Sequence, residues 1–152
     1  MKSKLLEKVN IRRNETKPLA VSLLLLILFF QGLSGLTGGF CLIIDPSGEL
    51  INLKISLLNQ SPFSNYLIPG FVLFVFLGIL PLVVFWGLVK NIRLAWYGSL
   101  ASGLGLIIWI IIEIIMIGYL ADPPLQFIYG VVSILILVFT LLPSIKNFYF
   151  KN

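Results

Sequence analysis

No histidine occurs in this sequence, and cysteine occurs once, at Cys41. The first absence removes the commonest metal ligand and general base. The second excludes an intramolecular disulfide or a paired-thiol redox centre. Charge is also scarce: 11% of the 152 residues are Asp, Glu, Lys or Arg against 59% hydrophobic, and mean hydropathy is +1.05. A soluble domain needs a polar surface that this composition cannot supply, so the chain reads as one small polytopic membrane domain. With no carboxylate pair, Cys pair or His set to hold a metal or share acid–base work, neither an enzyme nor a metal or other cofactor is expected. The net charge of +5 is no nucleic-acid signature, because the cations cluster beside the apolar runs, where membrane orientation requires them.

Long apolar runs are what the sequence has in abundance. Four of them, over residues 19–38, 70–89, 95–120 and 124–142, are long enough to cross a bilayer. The expected fold is an all-α membrane protein, a four-transmembrane-helix bundle over 18–143 with a structured extracytoplasmic loop at 39–69. A basic cytoplasmic tail, 1–17, and a basic, aromatic tail, 144–152, flank it. The charged start followed by residues 23–30 has the outline of a secretory signal, but the apolar run continues to Ile44 and three more follow. Lys2, Lys4, Lys8, Arg12, Arg13 and Lys17 precede the first run, Lys90 and Arg93 separate the second and third, and Lys146 and Lys151 end the chain. The opposite side has only Lys54. Both termini are therefore expected in the cytoplasm. Trp86, Trp96 and Tyr97 are expected in an aromatic belt at that interface.

One carboxylate, Glu113, interrupts the third run. At about 1.5 Å per residue it is expected roughly 10–12 Å from the helix end near Ala121, inside the hydrocarbon. A charge at the centre of a span costs about 2.5–3.5 kcal/mol on insertion scales, so something should receive this side chain. The neutral acid is the expected form unless a cation or donor reaches it. At about 100° per residue, Ser99, Ser102, Leu106 and Trp109 share its face, and small or hydroxyl residues mark close helix approach. Gln31, Ser34, Gly35 and Gly38 form a similar stripe on the first run, as do Gln126, Tyr129, Gly130, Ser133 and Thr140 on the fourth. Gln31 is expected at the depth of Glu113 and paired with it. Glu113, Gln31, Gln126 and Tyr129 then converge as one polar cluster, either a protonatable ligand site or a set of interhelical ties. Pro81 is expected to kink the second span and free a carbonyl one turn earlier.

Local motifs concentrate in residues 39–69. Asp45-Pro46-Ser47-Gly48 reads as a type I turn, with Asp first, Pro second and Gly fourth. Its flanks are rich in β-formers, so a short β-hairpin is expected. Ser61-Pro62 reads as an N-cap followed by Pro at the first helical position, which predicts a short interfacial helix over 63–68. The loop is read as a lid or docking surface, or as an ordinary folded connection. These segments, with Tyr66-Leu67-Ile68-Pro69-Gly70, Trp109, Glu113 and Pro124-Leu125-Gln126 followed by Tyr129-Gly130, resemble a family of small uncharacterised prokaryotic four-span membrane proteins. The resemblance covers about residues 20–143. It implies the four-span architecture and a prokaryotic cell membrane, and it implies no activity.

Two functions fit this reading. The first is a non-enzymatic accessory protein whose partners are the lipid bilayer and another membrane protein or a second copy of itself. The second is a carrier or binding protein for a small or lipidic ligand, with Glu113 as its protonatable contact.

Overall fold

The computed structural model describes residues 17–150; the basic segment at 1–16 and Lys151 lie outside them. Five helices follow one another: α1 (Leu19–Ile44), α2 (Leu67–Val89), α3 (Arg93–Ile117), α4 (Leu125–Leu141) and α5 (Pro143–Phe150). The first three are each long and apolar enough to cross a membrane, and α4 with α5 makes a fourth if that pair, bent by 55°, is one span. The end carrying Lys17, Lys90, Arg93 and Lys146 is called the basic end below. The other, closed by residues 45–66, is the loop end.

The loop departs from expectation. No strand occurs among the described residues, and the β-hairpin around Asp45–Gly48 is replaced by two short 3-10 helices, Glu49–Ile51 and Ile55–Gln60. Two local causes act together. The apolar run before the turn stays helical through Ile44, because its glycines pack against α2. After the turn, Gly48 (φ 84°) and Asn52 (φ 59°) are left-handed, a conformation that interrupts an extended strand. The interfacial helix at 63–68 is also absent, and α2 starts at Leu67, whose N–H is accepted by Asn65 Oδ1 at 3.0 Å.

Contact between α1 and α2 is backbone on backbone. The buried face of α1 runs Gln31, Gly32, Gly35, Gly39 and Leu42, one step around the helix from the expected Ser34/Gly38 stripe. A Cβ at Gly35 would collide with the Leu77 carbonyl, and one at Gly39 would lie 2.5 Å from Phe74 N. Opposite these glycines, residues Leu73–Ile79 of α2 widen to a π-helix in which Leu80 N–H donates to the Val75 carbonyl. The widened turn makes the most extensive of the contacts between α2 and α1.

Two prolines break the helical hydrogen-bond ladder, with different outcomes. Pro81 has no N–H for the Leu77 carbonyl four residues back. Leu80 nevertheless stays helical (φ −57°, ψ −51°), and α2 continues across the proline. Gln31 Nε2 donates to the Leu77 carbonyl at 3.3 Å, from the neighbouring helix. Before Pro143, by contrast, Leu142 takes the extended conformation (φ −56°, ψ 133°) that a following proline favours, and the helix breaks. There the Thr140 carbonyl accepts from the Trp96 indole at 2.9 Å. Trp96 is thus a buried interhelical donor at 6% exposure, whereas Trp86 and Tyr97, 60% and 54% exposed, stay on the surface as expected of a belt.

The basic end is closed in the same manner. Tyr149 Oη donates to the Leu88 carbonyl at 3.0 Å and Lys17 Nζ to the Val89 carbonyl at 3.1 Å, so the last carbonyls of α2 acquire side-chain donors. Val21, Leu24, Leu28, Val84, Leu88 and Ile136 fill the core between these ties.

Gly35→Val should separate α1 from α2 and cost about 1–3 kcal/mol, the range for overpacking a filled interior. Gly130→Ala is the control, since a Cβ there meets nothing within 4 Å. Thermal unfolding in detergent checks the pair: a loss of stability at Gly35 and none at Gly130 is the expected result.

Candidate functional site

The third helix ends sooner than its apolar run suggests. Gly118 (φ 77°) follows Ile117 and donates its N–H to the Ile114 carbonyl at 2.9 Å, the usual place of a glycine just past a helix end. Glu113 is therefore one turn, about 6 Å, from the loop end of α3, shallower than the 10–12 Å read from the run. The signal was present at Ile117-Gly118, and the apolar residues beyond it concealed it.

Gln126 organises the turn between α3 and α4. Its side chain is 3% exposed and lies in the first turn of α4. Its Oε1 accepts from Leu120 N–H at 2.8 Å, and its Nε2 donates to the Gly118 carbonyl at 3.0 Å and to Glu113 Oε1 at 3.4 Å. One amide thus satisfies two backbone groups of an irregular turn and reaches the carboxyl. Trp109 lies one turn before Glu113 on α3. Glu113 itself is half-buried.

The expected four-residue cluster divides. Glu113 and Gln126 are together. Gln31 is not with them: it is roughly three and a half turns from the loop end of α1, and its amide is committed to Leu77. The pairing of Gln31 with Glu113 is thereby corrected, because the carbonyl freed by Pro81 is the nearer acceptor. Gln31 Oε1 is buried with no hydrogen-bond partner. Tyr129, also half-buried, packs its ring against the Leu77, Leu106 and Ile110 cluster.

Above Glu113 sits the loop. Asp45 Oδ1 accepts from Ser47 Oγ at 2.6 Å and Ser47 N–H at 3.1 Å, and Oδ2 accepts from Leu50 N–H at 2.8 Å. Gly48 N–H closes the turn on the Asp45 carbonyl at 3.1 Å. Tyr66 locks this knot to the start of α2: its N–H donates to the Pro46 carbonyl at 2.9 Å and its hydroxyl to the Lys54 carbonyl at 2.9 Å. Its ring also lies against Gly48, where a Cβ would be 2.9 Å from it. Burial, and after it the nearby Glu113 charge, pushes the Tyr66 hydroxyl above its ordinary range. Sequence reading did not single out Tyr66 as a lock. Ser61 and Pro62 start no helix; Ser61 Oγ accepts from Phe63 N–H at 3.2 Å within the connection.

Chemically, Asp45 is saturated by donors and serves the loop's own fold. Among the described residues no group of three or more His, Cys, Asp or Glu side chains stands ready for a metal ion. Glu113 is the one carboxyl of the cluster, and its own fold does not fully enclose it. No family model matches the chain, and neither a curated protein nor a solved structure matches it.

The Ser47 hydroxyl first, then the Leu50 N–H, hold the Asp45 carboxyl below its ordinary value of 3.8. A carboxyl lowered in the folded state contributes stability that is complete above that ordinary value and is lost as pH falls through the lower native one. Protection factors of the Ser47 and Leu50 amides, corrected for the intrinsic slowing of exchange in acid, should accordingly fall on acidification below the ordinary aspartate range. Asp45→Asn should abolish that acid response.

Proposed function

We propose that this chain is a small, non-enzymatic, integral protein of a prokaryotic cell membrane, with both termini cytoplasmic. It works by packing against another membrane protein or a second copy of itself. The observation that supports this reading is the commitment of its buried polar groups. Gln31, Trp96 and Gln126 are each held on backbone groups of the same chain, and the Ser99 and Thr140 hydroxyls lie 3.1 Å from each other. Apart from Gln31 Oε1, which has no partner, the interior is thus organised for packing, and most of the remaining polar chemistry is on the helix surfaces. Among those, α3 is the least covered of the three long helices. The orientation rests on the cation bias, four described cations at the basic end against Lys54 at the other. The likeness in the loop pattern to small four-span proteins supports the same architecture.

A second reading, a binding protein for a small or lipidic ligand, is favoured by Glu113. A carboxyl one turn inside an apolar helix is retained where something pairs with it, and Gln126 and Trp109 leave it half-buried.

Native mass spectrometry of protein taken from its source membrane in mild detergent separates the two. A second polypeptide or second copy at fixed stoichiometry, present in Glu113→Gln as well, is the expected result. Absence of any second chain would overturn the first reading; a small molecule or lipid that Glu113→Leu releases supports the second, whether or not a second chain is present.

A further inference from the structure

Charged residues of the described chain are sorted by end. Asp45, Glu49, Glu113 and Asp122 lie toward the loop end with Lys54, and the other described cations lie at the basic end. Of the four acids, Asp45 is saturated by its donors, while Glu49 and Asp122 are exposed to water. Glu113 differs from all three. It is half-buried on an apolar helix, receives a hydrogen bond from Gln126, and has no ion pair among the described residues.

The helix packing leaves an opening beside it. Above Pro81 the π-helical part of α2 packs mainly on α1, and only below Pro81 does α2 pack extensively on α3. The loop-end half of α3 meets α2 through Leu73 and Leu77, which pack on Leu106 and Ile110; beyond that contact its flank is open, roofed by the 3-10 segment Ile55–Gln60. Glu113, Trp109 and Gly105 follow one another down that flank at intervals of four residues. A Cβ at Gly105 would meet nothing within 4 Å, and Ile108 and Ile112 border the track at 58% and 42% exposure. The result is a carboxylate at the top of an open apolar track about two helical turns long.

We propose that this flank binds a phospholipid with a primary ammonium headgroup. The ammonium donates to the Glu113 carboxylate, and an acyl chain lies along Trp109, Gly105 and Ile112. Three observations select this occupant. The carboxylate lacks a cation in an end of the molecule where acids outnumber cations. It lies about 6 Å below the end of its helix, where a headgroup meets its chains. The surface continuing downward from it is apolar, so an occupant carrying both a cation and a hydrocarbon chain matches the whole track. A primary ammonium can donate hydrogen bonds to a carboxylate; a quaternary ammonium has no N–H to give, and an anionic headgroup is repelled. The inference rests on the ligand reading of Glu113 and names its chemical class.

The full chain, reconstituted in nanodiscs of equal parts phosphatidylethanolamine, phosphatidylcholine and phosphatidylglycerol, is released into native mass spectrometry and its retained lipids are counted. Phosphatidylethanolamine should be retained about tenfold over the other two, the ratio that about 1.4 kcal/mol of charge-assisted hydrogen bonding provides. Glu113→Gln should bring that preference to near unity. Gly105→Leu, which fills the track at a position open to a side chain, should reduce retention of the lipid, with unchanged thermal unfolding as the check that the fold persists. Retention of another headgroup class, or a preference that survives Glu113→Gln, overturns the headgroup assignment and leaves a binding site standing. Displacement of the lipid by millimolar free ethanolamine overturns the lipid source in favour of a soluble amine. A wild-type chain that retains no lipid and no amine overturns the proposal and the ligand reading together.

Discussion

The Leu77 carbonyl has lost its α-helical donor to Pro81, and Gln31 restores one from the helix alongside. An unpaired carbonyl in an apolar interior costs about 1–3 kcal/mol, and in a bilayer no water is at hand to take the place of the missing donor. The tie holds α2 against α1 at this level. To bring the amide to the carbonyl, α1 must approach closely, and Gly35 and Gly39 remove the side chains that would prevent it. The π-helical turn widens α2 toward the same contact. Leaning on α1 above Pro81, α2 leaves much of the upper flank of α3 uncovered. The partial exposure of Glu113 is thus linked to how a proline on the preceding helix is accommodated.

The same solution recurs wherever the backbone is interrupted. Thr140 receives the Trp96 indole next to Pro143, the α3–α4 turn receives both ends of the Gln126 amide, and the last carbonyls of α2 receive Tyr149 and Lys17. Each donor comes from a different segment than the acceptor it serves. Whereas the helix serines and Thr140 also bond carbonyls one turn back in their own helices, Gln31, Trp96, Gln126 and Tyr149 serve gaps in the hydrogen-bond ladder. Such ties fix which helices are neighbours, something apolar packing alone specifies weakly when every face is greasy.

Much of the helical architecture was legible because long apolar runs and their flanking charges are strong signals. The partners of the polar residues were not. Helical periodicity places Gln31 and Glu113 on inward faces, but it carries no information about the relative height of two helices. The shortfall at Glu113 came from Gly118, whose left-handed conformation ended α3 within the apolar run. The hairpin was misread because β-propensity in residues 40–44 was overridden by glycine-mediated packing of α1. Tyr66 was overlooked because a lone tyrosine in a loop carries no pattern; its role exists only once Pro46, Gly48 and Lys54 have been folded around it.

Gln31 supplies a donor to the Leu77 carbonyl that Pro81 leaves without an α-helical one, and a double-mutant cycle measures how far the two residues depend on each other. Gln31→Leu should destabilise the chain by about 1–3 kcal/mol while Pro81 is present. In a Pro81→Ala background the restored N–H can serve Leu77 itself, and the cost of Gln31→Leu should fall by about 1 kcal/mol or more. Costs equal in both backgrounds, within the roughly 0.3–0.5 kcal/mol expected of independent sites, would contradict the account.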